Sequence, residues 1–143
     1  MEFSTGQPLA EYNRIYKETD QLYHGLALRM GLADSELVIL YTLALSGDGC
    51  LQRDIVGNAC LSKQTVNSAL RKLEAEGILY LEPSGARSKR VCLTEAGLRV
   101  ADATAGRLIR LENSIFDEWP AEDVQQYLGL MERYLQAFRC KLP

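Results

Sequence analysis

Apolar positions recur along this chain with two periods, one helical and one strand-like, and the change between them marks out its elements. Over residues 12–30, Tyr12, Ile15, Tyr16, Leu22, Tyr23, Leu26 and Met30 fall at helical spacing, and Gly31 follows as a C-terminal stop. Asp34 is placed to cap a second helix whose core face carries Leu37, Leu40, Tyr41 and Ala44, ending at the turn signal Ser46, Gly47, Asp48, Gly49. A short helix fits residues 52–57, Asn58, Ala59 and Cys60 make a brief turn, and Ser62 caps a longer helix over residues 63–76, stopped by Gly77. Two helices joined by so short a turn cross steeply, as in a helix-turn-helix.

The period then shortens. Residues 78–81 and 91–93 are runs of apolar, aromatic and β-branched side chains separated by the polar, basic segment 83–89, which predicts a β-hairpin. Thr94 caps the next helix, with Glu95 in its first turn and an apolar face of Leu98, Ala101, Ala105, Leu108, Ile115 and Phe116. Pro120 opens a last helix from the first-turn position that proline tolerates. There Val124, Leu128, Met131, Leu135 and Phe138 repeat in steps of four and three, the pattern of a coiled-coil seam. The fold class expected is mainly α with a small β-hairpin wing, in one domain of 143 residues.

On the helix over residues 63–76, Val66, Ala69, Leu70 and Leu73 form the core stripe, so Gln64, Asn67, Ser68 and Arg71 project away from it, flanked by Lys63, Thr65 and Lys72. Asn and Gln can pair with adenine, Arg can grip guanine with two donors, and Ser, Thr and Lys commonly hold phosphates. The hairpin tip adds Arg87, Ser88, Lys89 and Arg90. A solvated polar face presents similar residues. What favours DNA is the order of elements: a short helix, a tight turn, this helix, then a basic hairpin.

Charge sharpens that reading. The formal net charge is −3, which argues against indiscriminate coating of nucleic acid. Yet residues 62–93 carry Lys63, Arg71, Lys72, Arg87, Lys89 and Arg90 against only Glu74, Glu76 and Glu82. A basic segment inside an acidic chain is what a confined phosphate-binding surface needs.

Other classes find little support. Hydrophobic residues at 47% and charged residues at 24% are ordinary for a globular protein, and no apolar run approaches the length of a membrane span. Residues 1–10 lack the basic cluster and apolar core of a secretory signal, so the cytoplasm is the expected compartment. Cys50, Cys60, Cys92 and Cys140 show no ligand spacing and His24 lies far from them in sequence, so no metal or cofactor is expected. Each cysteine reads as a small buried apolar residue, with Cys140 the best placed to be exposed. No nucleophile elbow, glycine-rich phosphate loop or paired carboxylate motif points to an enzyme. The alternative to a DNA-binding protein is a winged-helix module for protein partners.

Residues 61–66 (LSKQTV), Leu70-x-x-Leu73-Glu74-x-x-Gly77-Ile78 and Leu93-Thr94-Glu95-Ala96-Gly97, in this order of elements, resemble the multiple antibiotic resistance regulator (MarR) family over about residues 9–142. The family's wing signature is Asp-x-Arg followed by Leu-Thr, and Arg87 occupies the arginine position. The aspartate position is Gly85 here, which implies a less constrained Arg87. The resemblance implies a winged helix-turn-helix over about residues 34–94. It also implies a dimerisation platform from helices over about 9–31 and 95–142, and a homodimer on double-stranded DNA. A small-molecule effector, of unknown identity, would then sit in a cleft for which Tyr12, Tyr16, Tyr23, Met30, Tyr41 and Leu108 are candidates. Peroxide-sensing members carry a cysteine in the first helix, and this first helix has none.

Overall fold

The computed structural model describes residues 3–47 and 49–143. They fall into two compact units, divided between Gly106 and Arg107. In the first unit, α1 (Gln7–Arg29) begins with Pro8 in its opening turn and α2 (Asp34–Ser46) follows a short connection. Then come β1 (Cys50–Leu51), α3 (Gln52–Ala59), α4 (Lys63–Ala75), β2 (Leu79–Ser84), β3 (Ser88–Leu93) and α5 (Glu95–Ala101), which leads into a π-helical turn, Asp102–Gly106. The three strands form an antiparallel sheet in the order β1-β3-β2. No helix among the described residues is long and apolar enough to cross a membrane.

The centre of this unit is α2. It packs against α1, α3, α4, α5 and the π-helical turn. A helix covered from several sides buries more than one stripe, so Ile39 and Leu43 join Leu37 and Leu40 in the core, Tyr41 is half-buried, and Ala44, expected inside, is exposed. Asp34 is the first helical residue rather than the cap. Ala33 holds the cap position, and its N–H donates to Glu36 Oε1 at 2.9 Å, a carboxylate reaching back from the third helical position. Asp48, in the turn expected after α2, lies outside the described residues.

Helix α4 starts as its sequence predicts: Ser62 Oγ accepts the Thr65 N–H at 3.1 Å. Val66, Ala69, Leu70 and Leu73 are all buried. Helix α3 runs two residues further than expected, through Asn58 and Ala59, and Cys60 ends it in the left-handed conformation at φ 53°, with Leu61 and Ser62 completing the turn to α4. Cys60 is exposed, contrary to the expectation of a buried residue, whereas Cys92 is buried and Cys50 half-buried.

The hairpin strands are longer than their apolar runs. Pairing extends from Leu79 opposite Leu93 to Ser84 opposite Ser88, leaving Gly85, Ala86 and Arg87 as the turn. Polar residues 82–84 and 88–90 thus belong to strands, because backbone pairing from the core carries them outward even without apolar side chains. Strand β1 pairs Cys50 with Val91 and Leu51 with Arg90. Two residues are too short for a periodic signal, and the sequence gives no hint of this third strand.

A close approach fixes where α5 begins. A Cβ built on Gly97 would lie 1.7 Å from the Ile78 carbonyl oxygen, far inside contact distance. Around it, the Thr94 N–H donates to Ile78 O at 3.1 Å, Thr94 Oγ1 donates to Gly77 O at 2.6 Å, and the Gly97 N–H donates to Thr94 Oγ1 at 2.9 Å.

The second unit contains α6 (Arg107–Asp117) and α7 (Ala121–Lys141). Pro120 is the N-cap of α7 rather than a first-turn residue. Between the helices Phe116, Trp119 and Tyr127 form an aromatic cluster with ring centroids 5.4–6.2 Å apart. Of the apolar face expected after Thr94, Ala101, Ala105 and Leu108 are buried, whereas Leu98, Ile115 and Phe116 are exposed in the single chain.

Replacing Gly97 with Ala forces the Ile78 carbonyl away and disrupts the Thr94 hydrogen bonds. The expected loss is at least ~2 kcal/mol, the range of backbone strain in a core contact. Urea unfolding of the Gly97→Ala variant checks it, and a wild-type midpoint would contradict the placement of α5.

Candidate nucleic-acid interface

With one side of α4 buried, its other side is free to meet a partner. Lys63, Gln64, Asn67, Ser68 and Arg71 line one open depression of about 440 Å³ on that side. All but Asn67, which is half-buried, are exposed. The first turn of α4 contains no acidic residue, so the positive end of the helix dipole is unopposed there. Such a surface can place donors on base edges and hold phosphates at its N-terminal end.

Several residues assigned to this surface from sequence also have partners within the chain. Ser62 and Thr65 hydroxyls lie 2.8 Å apart, joined in the cap. Asn67 Oδ1 accepts from Gln52 Nε2 at 2.8 Å, tying α4 to the first residue of α3. Lys72 Nζ donates to Glu36 Oε1 at 2.9 Å. The Glu36 side chain is 2% exposed and that of Lys72 55%, so the pair stands at the edge of the core. The hydrogen bond to Glu36, and then its charge, push the Lys72 ammonium pKa up. Lys72 therefore serves α2 and lies on the flank of the exposed face of α4.

The wing divides its basic residues in a similar way. Arg90 is half-buried, and its Nη1 donates to the carbonyl oxygen of Gly49, which ties β3 to the segment before β1. Lys89 is exposed opposite Pro83, Ser88 is half-buried at the end of the ladder, and Arg87 is exposed in the turn. Gly85 has φ +76°, a conformation that most side chains resist. An aspartate there would adopt it with strain, so the glycine at this position matches the local backbone.

The residues expected to line an effector cleft differ in exposure. Tyr12 and Tyr16 stack on α1 with centroids 6.3 Å apart, Tyr23 is exposed, Met30 and Tyr41 are half-buried, and Leu108, in the second unit, is buried. His24 Nδ1 lies 2.9 Å from Asp34 Oδ2, an exposed contact between α1 and α2. No group of His, Cys, Asp and Glu that could hold a metal occurs among the described residues. Sequence reasoning missed Glu36 and Gln52. Glu36 does carry a signal, its position three residues after the cap, but the partner of Gln52 lies fifteen residues away and leaves none.

No family model matches this chain, and neither does any curated protein sequence. Solved structures do. A MarR-family transcriptional regulator from Silicibacter pomeroyi is similar at 25% identity, over 91% of this chain and 88% of that one, with a TM-score of 0.72. MepR of S. aureus, solved in complex with DNA, has 22% identity over 96% and 99% of the two chains and a TM-score of 0.71. PcaV of Streptomyces coelicolor, solved with its natural ligand, has 18% identity over 94% and 99% and a TM-score of 0.66.

The thiols give an independent check of the local geometry. Exposed Cys60 should react with a thiol reagent at once, and buried Cys92 only on unfolding. Burial, followed by the charge of Asp54, pushes the Cys50 pKa up, so its thiolate is scarce at neutral pH and its labelling should rise steeply only under alkaline conditions. Mass-spectrometric mapping at two pH values reads all three. Fast labelling of Cys92 in the folded protein would contradict the sheet described above.

Proposed function

We propose that this chain, whose winged-helix fold is that of the MarR-family transcriptional regulators, binds double-stranded DNA sequence-specifically as a homodimer on a pseudopalindromic operator. The observation that carries the reading is the exposed face of α4, where Lys63, Gln64, Asn67, Ser68 and Arg71 surround one depression while the opposite side of the helix is buried. In this reading α4 lies in the major groove, and Arg87 at the wing tip reaches a neighbouring phosphate or the minor groove. The MepR complex with DNA supports it by likeness of fold.

A second copy gives the exposed apolar side chains of the terminal helices somewhere to go. No residue of α7 is buried in the single chain, and Leu128, Met131, Leu135 and Phe138, predicted as a seam, are 41–54% exposed. Tyr127, Leu130 and Tyr134 widen that apolar surface beyond a seam. Covering each such side chain is worth roughly 1–2 kcal/mol, which favours dimerisation through α1, α6 and α7. The dimer then presents two α4 helices to half-sites about 10 base pairs apart or a multiple of that.

The regulator acts in the cytoplasm as a repressor that a small molecule releases. The effector takes Tyr12, Tyr16, Tyr23, Met30 and Tyr41 of the first unit as its contacts, and PcaV with its natural ligand supports the reading by likeness of fold. A ligand can shift the dimer away from its DNA-binding shape only through its different affinity for the two shapes.

Two measurements test this function. Sedimentation at micromolar concentration should report twice the chain mass, and a persistent monomer would remove the two-half-site arrangement. Anisotropy titrations on selected duplex DNA at several salt concentrations should show a steep log–log dependence. Arg71→Ala or Arg87→Ala should each reduce that slope by about 1–2 units per dimer where the arginine meets phosphate. Salt-insensitive binding, or none to any duplex, would favour a protein partner instead.

A further inference from the structure

The reading face of α4 contains one side chain whose orientation is set by another helix. Asn67 points into the depression shared with Gln64, Ser68 and Arg71, and its Oδ1 is held at 2.8 Å by the Nε2 of Gln52. Gln52 is the first residue of α3, directly after β1, and both residues are half-buried. Resting on the proposed DNA-binding function, we propose that Gln52 is a positioning residue for sequence specificity, fixing the amide of Asn67 so that its Nδ2 donors, not its carbonyl, face the base edges.

The chemistry follows from what an amide can offer. A free asparagine presents a donor and an acceptor side by side, which suits the bidentate grip on adenine N7 and N6. With Oδ1 turned toward Gln52 and one of its two lone pairs taken, the group best placed to meet a base is the NH₂. Its complements in the major groove are acceptors: both O6 and N7 of guanine, O4 of thymine, and N7 alone of adenine, whose N6 is a donor. The preference at this position should therefore be for guanine or thymine, against cytosine, whose N4 offers only donors. Adenine, which needs Oδ1 to turn toward N6, falls between.

Gln52→Glu separates this role from simple packing, because the variant is nearly isosteric. A carboxylate cannot donate, so it bonds to the Asn67 NH₂ instead, which turns Oδ1 outward and inverts the complement. Selection from randomised duplexes, followed by sequencing, is performed with the full chain as wild type, Gln52→Glu, Gln52→Ala and Asn67→Ala, with thermal unfolding of each. The expected wild-type result is one position per half-site favouring guanine or thymine about ten-fold over cytosine. Gln52→Glu should shift that position toward cytosine or adenine, and Gln52→Ala and Asn67→Ala should flatten it, with the other positions unchanged. A structural role alone would lower the unfolding midpoint or overall affinity without changing which base is chosen. Identical preferences in wild type and both Gln52 variants, or an Asn67→Ala variant that alters no position, would overturn the inference while leaving DNA binding intact. A folded wild type that enriches no sequence would overturn the DNA-binding function itself and this inference with it.

Discussion

The carbonyl of Ile78 and the backbone of Gly97 meet at a distance that leaves no room for a side chain, and the positions of α4, the wing and α5 all depend on that meeting. Gly77 ends the turn after α4, Ile78 leads into β2, and Thr94 joins the end of β3 to α5. The Thr94 hydroxyl both accepts from Gly97 N–H and donates to Gly77 O, while its N–H reaches Ile78 O. One residue thus caps a helix and closes the base of the hairpin. The wing leaves the core beside the C-terminal end of α4 because its two strands are anchored there.

A second constraint acts at the other side of α4. Glu36 is almost wholly buried, and its Oε1 receives both the Ala33 N–H and the Lys72 ammonium. A buried carboxylate is tolerated only when partners satisfy it. The arrangement turns that cost into a link between the start of α2 and the outer flank of α4. Together with the Ser62 cap and the bond from Gln52 to Asn67, it leaves α4 little freedom to rotate. The buried stripe and these contacts together fix the direction in which Gln64, Ser68 and Arg71 face.

Much of this was legible in the sequence. The stripe Val66, Ala69, Leu70 and Leu73, the caps Ser62 and Thr94, and the stops at Gly31 and Gly77 all act locally, within one or two turns, and the structure places them as expected. What escaped is non-local. Strand β1 is recognisable only through its pairing with β3, and the length of the hairpin comes from backbone hydrogen bonds that polar side chains do not announce. The burial of Ile39 and Leu43 follows from how many neighbours surround α2, which no single periodic stripe records. At the candidate interface, residue types indicated which side chains face outward, but the partners of Lys72, Asn67 and Arg90 come from distant segments. Those partners show which outward-facing side chains are also tied to another segment of the fold.

The proposed function depends most on α4 entering the major groove of duplex DNA. Dimethyl sulfate protection on a selected duplex addresses it most directly, because the reagent methylates guanine N7 in the major groove and adenine N3 in the minor groove. A dimer with α4 in the major groove should leave two patches of protected guanine N7 centred about one helical turn, or a multiple of it, apart. Unprotected guanine N7 throughout a bound site would contradict it.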